Sequence, residues 1–343
     1  MTTLNFGEYG LNTNVRSREN LPDARAMVNA VNAVDVSEET LTGRAGGLLP
    51  HLLLDRVTGR NIIWATDHYE HLGADYAPAR EITIESVTGE HRLLIQPRVE
   101  KSKAQQWDRT KGRAEVFTPS WLCNEQNNRV DAAWFGRADV FNTVFGRSWI
   151  ERAESIKFDE RGRRTWKKYV DDRRLEVACG EGPYLVSRYD AATGDPISLG
   201  RRIGLLDRKL RVVTENACSD REWCIWARRA VESIYGFEYQ GDSLLLAREN
   251  ILATYEDFAR AALGSAPSDT ELRSVATVIS WNIWQMDLLT GRPPLQSDSA
   301  DENQLDLFAE QNVTAVRACV IRDWRSKRTY DYAHLATAGS AAS

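Results

Sequence analysis

The residues with the clearest chemical potential lie in Arg174-Leu175-Glu176-Val177-Ala178-Cys179-Gly180-Glu181-Gly182-Pro183-Tyr184-Leu185. A short apolar strand carrying Glu176 runs into Ala178, Cys179 and a Gly180-x-Gly182 turn, and a helix start is expected behind it. Glycine lacks a Cβ and tolerates positive φ, so a ligand can approach such a backbone closely. The first turn of a helix would add unpaired N–H groups and a positive dipole end. Nucleotide-like cofactors bind at such places, outside the carboxyl ends of strands in an open α/β sheet. A plain strand-to-helix turn uses the same letters, so the stretch gains meaning only from its companions.

One companion is Glu238, at the end of Ser233-Ile234-Tyr235-Gly236-Phe237-Glu238. A carboxylate at a strand end can accept hydrogen bonds from both hydroxyls of a ribose. Another is a basic stretch, in which Arg98, Lys101, Lys103, Arg109, Lys111 and Arg113 face only Glu100 and Asp108, with Trp107 among them. It reads as a solvated face or a nucleic-acid contact. His68 and His71, with Asp67 and Glu70, read as a polar loop rather than a metal centre, because no second ligand group lies near. The five cysteines are scattered and odd in number, which points to buried thiols.

These residues need a scaffold, and 343 residues suffice for one large or two ordinary domains. A content of 42% hydrophobic and 27% charged residues is that of a globular protein. No apolar run reaches the roughly 18 residues of a membrane span and no signal-peptide core opens the chain, so a cytoplasmic location is expected. The net charge of −5 argues against a uniformly basic nucleic-acid binder.

Residues 1–105 read as a small α+β region. It should hold a helix at 22–34, a hairpin of 51–54 with 61–64, and a second of 81–84 with 92–95. Residues 106–343 form the second unit. There, 147–172 reads as a solvated charged helix and Leu210–Val213 as a strand inside an insertion at about 187–220. An amphipathic helix follows at 223–232, then an apolar helix at 243–252. Val278–Leu289 reads as a strand that carries Asp287, and a hairpin is expected over about 318–332.

In order along the chain, Glu115-Val116-Phe117-Thr118-Pro119, Ala178-Cys179-Gly180-x-Gly182 and Ala247-Arg248-x-Asn250 resemble the cofactor motifs of adenine DNA methyltransferases from restriction–modification systems. The likeness covers about half the chain. It implies a Rossmann-like α/β sheet with helices on both faces and S-adenosyl-L-methionine as cofactor. Phe117, Thr118 and Pro119 would approach its methionine end. Glu176, Ala178, Cys179, Gly180 and Gly182 would form the floor. Glu238 and Tyr239 would hold the ribose, and Asp287 with Met286 the adenine. Thr118 also reads as the cap of a helix whose first turn opens with Pro119. The implied function is methylation of the adenine amino group of DNA, alone or with a restriction or specificity subunit. The alternative is an inactive methyltransferase-like protein that binds DNA or a restriction partner. The family's Asn/Asp-Pro-Pro-Tyr loop, which accepts hydrogen bonds from the target amine, does not occur. Arg292-Pro293-Pro294-Leu295 cannot replace it, because arginine only donates. Glu181 stands where the family has a small residue.

Overall fold

The computed structural model describes residues 35–44, 46–103, 106–107, 118–159, 162, 164–296 and 318–332. Its early segments are helical where hairpins are expected. They are α1 (Glu38–Gly43), α2 (Leu49–Leu53) and α3 (Ile84–Val87). Pro50 lies in the first turn of α2, and Leu48, Leu49, Leu52 and Leu53 are all buried at helical spacing. The expected turn at Asp55–Arg60 is present, but a single antiparallel bridge, Leu54 to Asn61, is all that remains of the first hairpin. Thr83 and Ser86 cap each other reciprocally and open α3, which removes the second hairpin. Glu81 bridges Ile63 instead.

Next come α4 (Ser120–Phe135), a hairpin of β1 (Asn142–Phe145) with β2 (Ser148–Glu151), and α5 (Trp166–Asp171). The charged region 147–172 is therefore a strand and a short helix around irregular chain, not one solvated helix. Then β3 (Arg174–Val177), α6 (Leu205–Asn216), α7 (Asp220–Glu232), β4 (Ile234–Glu238), α8 (Gly241–Leu263), α9 (Asp269–Asn282) and β5 (Ile283–Gln285) build the core. Leu210–Val213 lies inside α6, and Val278–Asn282 belongs to α9. Ser219 and Ser268 each accept a hydrogen bond from the glutamate N–H three residues on, which fixes the starts of α7 and α9. Near the end of the described residues β6 (Val320–Asp323) pairs antiparallel with β7 (Arg328–Asp331), the hairpin expected there.

The protein is thus mixed α/β, with a parallel sheet in the order β3-β4-β5. Its two faces differ. Ile234 and Ile283 join a large apolar cluster with residues of α6, α7, α8 and α9. On the other face Tyr235, Phe237 and Trp284 pack with Cys319, Ile321 and Tyr332 of the β6–β7 segment. Among the described residues the helices cover one face and a hairpin part of the other, where the resemblance implies helices on both.

Buried charges pin the layers together. Lys209 of α6 donates to Val170 O at 3.0 Å and Ser233 Oγ at 2.6 Å, and also to Asp172 O. Arg248 of α8 donates to Ile283 O at 2.8 Å and Leu54 O at 3.2 Å, so α2 is tied to the start of β5.

Candidate functional site

β3, β4 and β5 are parallel, so Gly180, Glu238 and Asp287 all follow the same end of the sheet. Two of the three touch. The Gly180 N–H donates to Glu238 Oε2 at 2.8 Å, and the Gln240 N–H to Oε1 of the same carboxylate at 3.1 Å. Burial raises the Glu238 carboxyl above the usual carboxylate range, against the lowering pull of these backbone donors. Each carboxylate oxygen has a second lone pair, so acceptor capacity remains.

The turn itself alternates left-handed residues, with φ of 51° at Ala178, 53° at Gly180 and 79° at Gly182. Alanine pays a steric penalty there that glycine does not. A Cβ added at Gly180 would meet nothing within 4 Å, so this position faces open space. At Gly182 it would lie 3.7 Å from Ala247, which shows how closely the turn rests on α8. The expected helix does not follow. Leu185 and Val186 N–H both bond to Gly182 O, a single turn, and the next helix starts at Leu205. The dipole of an adjoining helix is therefore missing from this wall.

The remaining floor residues are structural in part. Glu176 is buried and accepts from Tyr184 N at 3.4 Å; burial pushes its carboxyl well up. Cys179 is buried beside Gly236, and burial raises its thiol, so it is no nucleophile. Glu181 is paired after all, accepting from Arg98 N and Tyr189 Oη, each at 2.7 Å. Asn250 donates to Glu181 O at 3.3 Å.

α4 closes one side. Asn127 donates to Tyr184 O at 3.0 Å, and Thr118 O accepts from Cys123 Sγ at 3.6 Å. Thr118 is not the helix cap: Pro119 occupies that position, and Asp190 accepts from Ser120 N at 3.0 Å. Phe117 lies outside the described residues.

At the far side Met286 donates its N–H to Glu238 O at 3.0 Å, but its side chain is buried with Trp284 and Phe237 on the hairpin face. It does not line the crevice. Asp287 Oδ1 accepts from Leu289 N at 2.8 Å and closes its own turn, with the backbone bridged to Arg292. Arg292-Pro293-Pro294 continues that turn.

Sequence reasoning missed a roof. Gln285 accepts from Ile63 N at 2.9 Å and donates to Ile63 O at 2.8 Å and Tyr239 O at 2.9 Å. Half-buried Tyr239 is thereby held by its backbone. Trp64 O accepts from Gly241 N at 3.2 Å. The only hint was Gly241, where a Cβ would lie 2.0 Å from Ile63 O. Asp242, buried in the first turn of α8, accepts from Tyr69 Oη at 2.9 Å and pairs with Lys101 Nζ at 3.6 Å.

That pair corrects the reading of the basic stretch. Lys101 is an internal countercharge, not a nucleic-acid contact, and Arg98 is half-buried against Glu181. Lys103 is exposed, as is Trp107; Arg109, Lys111 and Arg113 lie outside the described residues. Among the described residues, no group of three or more His, Cys, Asp or Glu side chains is placed to hold a metal. No described helix is long and apolar enough to cross a membrane.

The open corner at Gly180 is thus bordered by the buried carboxyl of Glu238, whose spare lone pairs suit a polyhydroxyl ligand. No family model, curated protein or solved structure matches the chain.

Proposed function

We propose that the chain binds S-adenosylmethionine at the carboxyl end of the β3-β4-β5 sheet, as a Rossmann-like methyltransferase or methyltransferase subunit acting on DNA. The observation that carries this reading is the Gly180–Glu238 hydrogen bond, which joins a glycine turn and a strand-end acid in one corner. There the bare backbone at Gly180 admits a nucleoside, and the spare lone pairs of Glu238 accept from the ribose hydroxyls. Glu176, Ala178 and Gly182 shape the floor, and Thr118 with Pro119 the side wall. A ribose diol can donate to the Glu238 carboxyl whether that group is charged or neutral. Methyl transfer would then need only an amine held in line with the methyl group, since the cofactor supplies the leaving group.

Isothermal calorimetry with S-adenosylmethionine tests this. The wild type should bind, and Gly180→Arg and Glu238→Ala should each lose at least tenfold in affinity while keeping the wild-type circular dichroism. A wild type that binds no cofactor overturns the proposal.

A second reading is favoured by the amine-binding loop, which the sequence lacks, and by a three-stranded sheet among the described residues. In it the chain binds the cofactor and recognises DNA or a restriction partner without transferring a methyl group. Mass spectrometry of nucleosides from expressing cells separates the two: methylated adenine supports transfer, and unmodified DNA beside tight cofactor binding supports the second.

A further inference from the structure

Among the described residues the sheet stops at β3, and there β3 is bare in two directions. Parallel strands are ordinarily covered on both faces, yet Leu175 and Val177 are 48% and 51% exposed. Beside them opens a groove of about 300 Å³, lined by Arg173, Leu175, Tyr235, Trp284, Ile321 and Tyr330 among others. The backbone edge is open too. Arg174 N bonds to Ser233 O at 2.9 Å, and alternate residues of a strand turn toward the same neighbour. The N–H and C=O groups of Leu175 and Val177 therefore point away from β4. An edge of this kind is a template for another strand.

The letters of the strand say which one. Arg173-Arg174-Leu175-Glu176-Val177 is complementary to itself when run antiparallel about Leu175. Arg174 then stands opposite Glu176 twice, Leu175 opposite Leu175, and the stem of Arg173 over Val177. An arginine directly across a strand pair can donate to the Glu176 carboxyl in either protonation state. The same side chains, though Arg174 Nη1 meets Asp172 at 2.7 Å and Glu176 Oε1 accepts from Tyr184 N, keep Arg174 Nε and Nη2 and Glu176 Oε2 without a hydrogen bond among the described residues. We propose that the β3 edge binds a second copy of this chain, through antiparallel β3–β3 pairing about a two-fold axis at Leu175, to give a continuous six-stranded sheet. The pairing shares Glu176 with the proposed cofactor floor, but sedimentation reads it without any cofactor. Leu175 points its N–H outward, and each copy both donates to and accepts from the other at that residue.

Sedimentation equilibrium of the full chain, at concentrations up to about 100 µM, tests the pairing. The wild type should sediment at twice the chain mass. Leu175→Pro should sediment as a monomer with unchanged circular dichroism and melting temperature, because the N–H it removes serves no bond inside the sheet. Val177→Lys places a cation opposite Arg173 and should weaken the dimer at least tenfold, whereas Val177→Glu should leave it as tight or tighten it. A wild type that stays monomeric overturns the proposal, whether or not it pairs with some other chain. So does a dimer indifferent to Leu175→Pro, or one that Val177→Lys and Val177→Glu weaken alike.

Discussion

Glu181 shows how much a single partner decides. Beside a bound carboxylate it would be unfavourable, but Arg98 N and Tyr189 Oη take up one oxygen each. Tyr189→Phe removes one donor from a buried carboxylate and should cost about 1–3 kcal/mol in urea denaturation. Cysteine reactivity follows the same local accounting. Cys218 is exposed while Cys179 is buried with its thiol pushed up. Peptide mapping after native iodoacetamide treatment should find Cys218 labelled first and Cys179 protected until unfolding. The glycine turn and Glu238 were legible in the sequence because glycine spacing and a strand-end acid report directly on backbone shape. The side-chain direction of Met286 was not, since it depends on strand parity and on which cluster lies behind β5.

At the level of elements, turn signals served well, whereas short apolar runs did not and the one cap expected, Thr118, gives way to Pro119. Ser219 and Ser268, each three residues before a glutamate, mark true helix starts. The strand-like Leu210-Arg211-Val212-Val213 sits in α6 because Asp207, Arg208 and Lys209 are buried there as well, so polarity no longer marks the solvent face. Burying those charges required partners remote in sequence, which no local pattern carries. Arg208 meets Asp131, with Asn124 and Asn128 at 2.8 Å, and Lys209 meets the end of α5. Burial lowers the Lys209 ammonium well below the usual lysine range, yet its oxygens hold it in place. Lys209→Met should leave the Asp172 carbonyl unmatched, while Val170 O keeps its bond from Ser233 Oγ at 2.6 Å, and cost about 2–4 kcal/mol. The check is chemical denaturation, with backbone amide exchange at 166–171 rising before that of β4.

Across the whole molecule the unusual quantity is buried negative charge. Glu38 of α1 and Glu249 of α8 are both buried, and neither oxygen of Glu249 has a hydrogen-bond partner. Burial pushes Glu38 from 4.5 up to about 8, with Asp35 adding to the rise, and it raises Glu249 well above its usual value, with Glu38 and Asp35 adding to that rise. The folded state thus holds protons that the unfolded chain releases above pH 4.5, so stability should fall as pH rises from there through about 8. Melting temperatures over this range should decline in the wild type. Glu38→Gln should flatten the decline and raise the melting temperature at pH 8. A flat wild-type profile would contradict the assignment.

The amide of Gln285 has one more consequence. It faces one N–H and two carbonyls at once, so a carboxylate at this position would keep the first bond and set its charge against two oxygens. Neither apolar cluster includes that side chain. A change of one atom, from nitrogen to oxygen, would therefore loosen the backbone of Ile63 and Tyr239 at the end of the sheet without touching the apolar cluster that Ile62, Trp64 and Ile82 share with α8 and α9.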